Sequence, residues 1–170
     1  MSAHPAPGED PALRRTRFTE EVTAATGIDE AMIATLVQRF YAAARDDLLL
    51  GPVFAHVRDW DRHIARITDF WSSVALMSGR YHGNPLAAHL PLLLGEAHFS
   101  RWLALWAETA KASCPPSAAE RFILLAQRIA ASLSRALAIL PNAPAIEPDD
   151  AHDHRSRSCQ LSSPPDPGKR

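Results

Sequence analysis

Apolar residues recur at spacings of three and four through most of this chain, and nowhere do they alternate as a half-buried strand requires. Behind Asp29, a candidate N-cap, the residues Ile33, Leu36, Val37, Phe40, Tyr41 and Ala44 fall on one side of a helix. Trp60, His63, Ile64, Ile67, Phe70, Trp71 and Val74 repeat the pattern, as do Phe99, Trp102, Leu103 and Trp106. A last segment opens with Pro115-Pro116 and the capping-box pattern Ser117-x-x-Glu120. It runs through Phe122, Leu125, Ala126, Ile129, Leu133 and Leu137 until Pro141. Gly83-Asn84-Pro85 reads as a turn, an N-cap and a proline at the first helical position. Leu86 to Leu90 then forms a short helical turn carrying His89, with Pro91 blocking a longer one. The expectation is an all-α fold of four long helices and a short fifth.

Aromatic residues and prolines set the domain limits. All 12 Phe, Trp and Tyr residues lie between Phe18 and Phe122, whereas nine of the 14 prolines lie before residue 18 or after residue 140. A proline-rich segment with few apolar side chains cannot offset an ordering cost of about 1–2 kcal/mol per residue. Residues 1–17 are therefore read as a disordered arm, 18–140 as one folded domain and 141–170 as a disordered Pro-rich tail.

A net charge of -1 argues against nucleic-acid binding and against a polybasic membrane surface. The chain has no run of about 18 apolar residues and its first 17 residues lack a signal-peptide core, so a soluble cytoplasmic protein is expected. Two cysteines, Cys114 and Cys159, make neither a disulfide framework nor a CxxC clip. No histidines show zinc-ligand spacing; His152-x-His154 in the tail is the one tight pair. Glycine-rich phosphate loops and GxSxG elbows are absent.

What remains is a set of aromatic-rich helices, each carrying a polar group on its buried stripe: Tyr41, His63 and Trp102. Any one could be a core residue bonded to backbone. Three on facing helices, with His89 as a fourth group, suggest a cavity with a polar ligand, since each left unpaired would cost about 1–3 kcal/mol.

Arg39-Phe-Tyr-Ala-Ala-Ala-Arg-Asp-Asp followed by Leu50-Gly-Pro-Val-Phe54 resembles the start of a group III truncated haemoglobin. Trp60-Asp-Arg-His-Ile-Ala-Arg-Ile-Thr-Asp-Phe-Trp71, Tyr81-His-Gly-Asn-Pro-Leu-Ala-Ala-His-Leu90 and His98-Phe-Ser-Arg-Trp-Leu103 continue the likeness, and the helix from Arg121 to Leu133 completes it. The resemblance covers nearly all of the expected domain and neither arm. It implies a truncated globin: a two-over-two helical sandwich around one haem b (iron protoporphyrin IX).

The same resemblance implies roles. His89 matches the proximal haem-iron ligand, and Tyr41, His63 and Trp102 match the distal positions that face a bound gas. Phe54, Ile67, Phe70, Trp71, Phe99 and Ile129 would form apolar haem walls, with Tyr81 over the haem edge and Arg66 suited to a propionate. His82 and His98 are left as surface or supporting residues. The implied ligands are dioxygen, carbon monoxide and nitric oxide. Nitric oxide dioxygenation or peroxidase-like turnover with an unidentified reductant fits better than bulk oxygen transport. The alternatives are a non-enzymatic gas or redox sensor and a haem-free scaffold. A monomer or weak dimer is expected.

Overall fold

The computed structural model describes residues 10–139, which form helices and no strand. Both ends of the chain, and with them the expected tail and His152-x-His154, lie outside the described residues. In chain order the helices are α1 (Pro11–Thr26), α2 (Glu30–Asp46), α3 (Trp60–Leu76), α4 (Pro85–His89), α5 (Glu96–Ser113) and α6 (Pro116–Ile139). Short 3₁₀ turns cover Gly51–Phe54 and Leu90–Leu92. The pair α2/α3 packs on the pair α5/α6 through α2 against α5 and α3 against α6, while α4 leans on α6. This is the two-over-two sandwich.

Patterning and caps explain most of these elements. The Asp29 carboxylate accepts from the Met32 amide at 2.7 Å, and all six stripe residues of α2 are buried. Asp59 caps α3 in the same way, through the Arg62 amide at 2.9 Å. The core joins Ile33, Leu36, Val37 and Phe40 of α2 to Trp71 of α3, Trp106 of α5 and Phe122 of α6. The Trp106 indole N–H donates to the Phe122 carbonyl at 3.3 Å, so the polar atom of this deeply buried ring is satisfied. Buried Ser72 donates to Glu30 at 2.7 Å and ties α3 to the start of α2. By length and composition α6 could cross a membrane, but here it contributes Ala118, Ala119, Phe122, Ala126 and Ala130 to the protein core.

The structure corrects the sequence reading at two points. Residues 11–17 are not part of an unfolded arm but the first two turns of α1, which makes five long helices rather than four. Pro11 begins the helix, Asp10 accepts from the Ala12 amide, and Thr19 donates to the Leu76 carbonyl at the end of α3. Gly27 closes α1 in the left-handed conformation (φ 73°) that an L side chain resists, and the following Ile28 is fully buried. The second correction concerns α6. Ser117 lies inside its first turn and donates to the Thr26 carbonyl at 3.4 Å, so the Ser117/Glu120 capping box does not form. A tie to a neighbouring helix has replaced a local cap.

Because Ile28 joins α1 to the core, Ile28→Ala should lower the unfolding free energy by about 2–5 kcal/mol. Urea denaturation with an unchanged m-value would register that loss; an effect below about 1 kcal/mol would mean that the α1–α2 corner is peripheral.

Candidate functional site

The stripe of α3 is buried at its C-terminal end, where Trp71, Ala75 and Leu76 enter the core. Earlier in the helix, His63, Ile67 and Phe70 are only half-buried, since they face a cavity of about 260 Å³. Tyr41 of α2, Phe54 of the first 3₁₀ turn, Arg66 and Trp71 of α3, and Tyr81 join them in its wall. His89 of α4, Phe99 and Trp102 of α5, and Ile129 of α6 complete the set. All twelve residues singled out in the sequence thus surround one space. His56 and His98 also line it. His98 stands four residues before Trp102, on the same face of α5, a spacing that would have revealed it. His56 follows an irregular turn and carried no periodic signal.

His89 is held in a defined orientation. Pro85 opens the five-residue α4 behind the Asn84 cap, so its carbonyl faces the side chain four residues on. His89 Nδ1 lies 2.6 Å from that carbonyl oxygen. A carbonyl can only accept, so Nδ1 carries a proton, and in the neutral form of the ring the lone pair is on Nε2. The ring is therefore prepared as a nitrogen ligand. Pro91 then tightens the chain into the 3₁₀ turn Leu90–Leu92 and fixes the far side of this element.

The polar groups of α2, α3 and α5 line the same cavity. Tyr41 meets His63 edge-on with ring centroids 5.3 Å apart, and both contact Phe54. Burial pushes the Tyr41 hydroxyl pKa upward, so it stays protonated and able to donate. Burial, then the nearby positive charges of His56 and Arg66, hold His63 below the ordinary histidine value. Its Nε2 is buried and finds no hydrogen-bond partner among the described residues. Leaving such a group unpaired costs about 1–3 kcal/mol, which a hydrogen bond to a bound molecule would recover.

At the rim, the Arg66 guanidinium lies 5.8 Å from the Tyr81 ring centre, and Tyr81 packs edge-on against Phe70. Gly83 makes this possible. A Cβ there would collide with the Tyr81 hydroxyl and come within 2.8 Å of Arg66 Nη2. Below the site, Asp47 accepts from the Leu49 and Leu50 amides, each at 3.0 Å, and from Arg101 Nε at 2.6 Å. It thereby fastens the corner after α2, including the cavity residue Leu50, to α5. The Leu50 amide first, and then Arg101, hold its carboxyl below the usual value. Among the described residues no group of three or more His, Cys, Asp or Glu could hold a metal ion. The cavity offers imidazole nitrogens, from His56, His63, His89 and His98, among largely apolar walls. That suits a metal arriving inside a flat organic cofactor.

The solved group III truncated haemoglobin from Campylobacter jejuni superposes on this chain with a TM-score of 0.61 at 32% identity, covering 65% of this chain and 91% of that one. The group 3 truncated hemoglobin ctb of Campylobacter jejuni is 36% identical over 48% of this chain and 69% of its own length. The chain belongs to the group III truncated haemoglobins. No family model matches it. Membership in this globin family carries haem binding and gaseous ligands such as dioxygen with it.

Two predictions follow from the geometry. The unfolded chain binds a proton on His63 before the folded chain does, so stability present above about pH 6.5 should fall as pH drops below it. Thermal melts should show a shallower decline below about pH 6.5 in His63→Gln; parallel curves would remove His63 as the cause. Gly83→Ala should displace the Tyr81–Arg66 pair and weaken haem retention severalfold in transfer to apomyoglobin. It should leave helix content by circular dichroism unchanged.

Proposed function

We propose that this cavity holds one haem b, with His89 Nε2 as the axial ligand and Tyr41, Trp102 and His63 on the gas-binding side. The observation that carries the reading is the His89–Pro85 bond, which commits Nδ1 to the protein and leaves Nε2 for iron. The unpartnered His63 Nε2 and the apolar walls supply independent support. A bound haem would supply an iron able to bind a gas and a one-electron redox couple.

The protein's own groups then determine how the gas is treated. Tyr41 keeps its proton and can donate it in a hydrogen bond, as can the indole N–H of Trp102. Neutral His63 can either donate or accept, according to tautomer. Phe54, Ile67, Phe70, Trp71, Phe99 and Ile129 keep bulk water from the site, which strengthens each such bond. Arg66, beside Tyr81 at the rim, suits a propionate carboxylate.

A donor to a charged acceptor contributes about 1.5–3 kcal/mol, or roughly ten- to a hundredfold in ligand release. Dioxygen draws more charge from iron than carbon monoxide does, so donors slow its loss selectively. Slow release favours redox chemistry, nitric oxide dioxygenation or peroxide turnover, over bulk oxygen transport. Either needs electrons from a separate reductant. A soluble protein of the cytoplasm fits this use, with Phe122, Ala126 and Ala130 of α6 buried in its own core.

Haem reconstitution tests the assignment. The wild-type chain should develop a Soret band that is lost or shifted in His89→Ala; no band, or an unchanged band in the variant, would contradict it. Tyr41→Phe and Trp102→Phe should each speed dioxygen dissociation by about ten- to a hundredfold and carbon monoxide dissociation much less. Equal effects on both gases would mean that these side chains act by packing.

A further inference from the structure

Three indoles stand stacked behind the cavity, and the function proposed above gives a chemical role to one of them. Trp71 and Trp106 are parallel within 12°, with ring centroids 4.2 Å apart. Trp106 and Trp102 continue the column at 5.6 Å and again 12°. The phenylalanines that touch Trp106 meet it edge-on, Phe40 at 65° and Phe122 at 79°, so the parallel arrangement belongs to the indoles alone. Trp106 is 1% exposed, and the two outer rings, Trp71 and Trp102, both line the cavity.

We propose that the Trp71–Trp106–Trp102 stack is a one-electron reservoir that supplies the second electron when a hydroperoxide is reduced in the cavity. The inference rests on the haem reading. Hydrogen peroxide becoming two waters takes two electrons and two protons. Ferrous iron gives one electron and ends ferric, and the stack gives the other and is left as an indole radical cation. The O–O bond breaks, both oxygens leave as water, and solvent supplies the two protons. The external one-electron reductant that keeps the iron ferrous afterwards returns one electron to the iron and one to the stack.

Two features of the structure suit the rings to this task. The Trp106 N–H is bonded to the Phe122 carbonyl, which accepts a hydrogen bond but is no base for the proton. The oxidised ring therefore keeps its proton, and the electron can return without a proton being recaptured. Its positive charge would also lie between two parallel π faces, which attract a cation. The fourth tryptophan, Trp60, lies outside the stack against Tyr41, Phe54 and His63.

The test is rapid-freeze electron paramagnetic resonance of the haem-loaded ferrous protein mixed with one equivalent of hydrogen peroxide. The expected result is an organic radical whose spectrum narrows with ring-deuterated tryptophan, falls severalfold in Trp106→Phe and persists in Trp60→Phe. Near-isosteric replacement of all tryptophans by 4-fluorotryptophan, which is harder to oxidise, should lower the yield without altering the fold. A signal that narrows with deuterated tyrosine instead, or one unchanged in both Trp106→Phe and the fluorinated protein, would overturn the reservoir. A normal Soret band with no organic radical overturns the reservoir alone. Absence of the Soret band overturns the haem reading as well.

Discussion

The apolar stripe of α3 extends further than the helices that cover it. Its C-terminal end is sealed by Trp106 and Phe122, while Ile67 and Phe70 face the cavity. Apolar surface left toward water forgoes about 25 cal/mol per Å² of stabilisation. A flat apolar ligand recovers it and stabilises the fold in proportion to its affinity. The cavity is in this sense an unfinished core. The polar groups at its edge decide what completes it.

Those groups are placed by local rules acting at a few positions. Proline at the start of α4 directs one carbonyl at one histidine and so selects the tautomer of His89. The missing side chain of Gly83 lets Tyr81 and Arg66 meet at the rim. Asp47 fixes the corner after α2 from both backbone and side-chain directions. Each device is small. Together they fix His89, Tyr81, Arg66 and Leu50 in the wall of one cavity lined largely by aromatic and apolar side chains.

Much of this was legible in the sequence because helical period and burial coincide along α2, and in part along α5 and α6, where Trp106, Phe122 and Ala126 are buried. The Asp29 cap and the short proline-led α4 could be read directly, and the twelve site residues proved to line a single cavity. The first two turns of α1 were hidden, since their one large apolar side chain, Leu13, is exposed and the helix is fastened by Thr19 to a carbonyl 57 positions away. Ser117 misled for a related reason: its local pattern matched a cap, but its hydroxyl bonds across to α1. His56 was missed because irregular backbone carries no period. Nor could any pattern of residues have shown that three indoles lie parallel, which is a property of how α3 and α5 meet.

The account depends most on His89 Nε2 being the ligand that the Pro85 carbonyl prepares. Resonance Raman spectroscopy of the ferrous, gas-free protein addresses this bond directly. An iron–histidine stretching band should appear, shift with ¹⁵N-histidine, vanish in His89→Gly and return when imidazole is added to that variant. A band that survives in His89→Gly without imidazole would place the iron on another histidine and contradict the account.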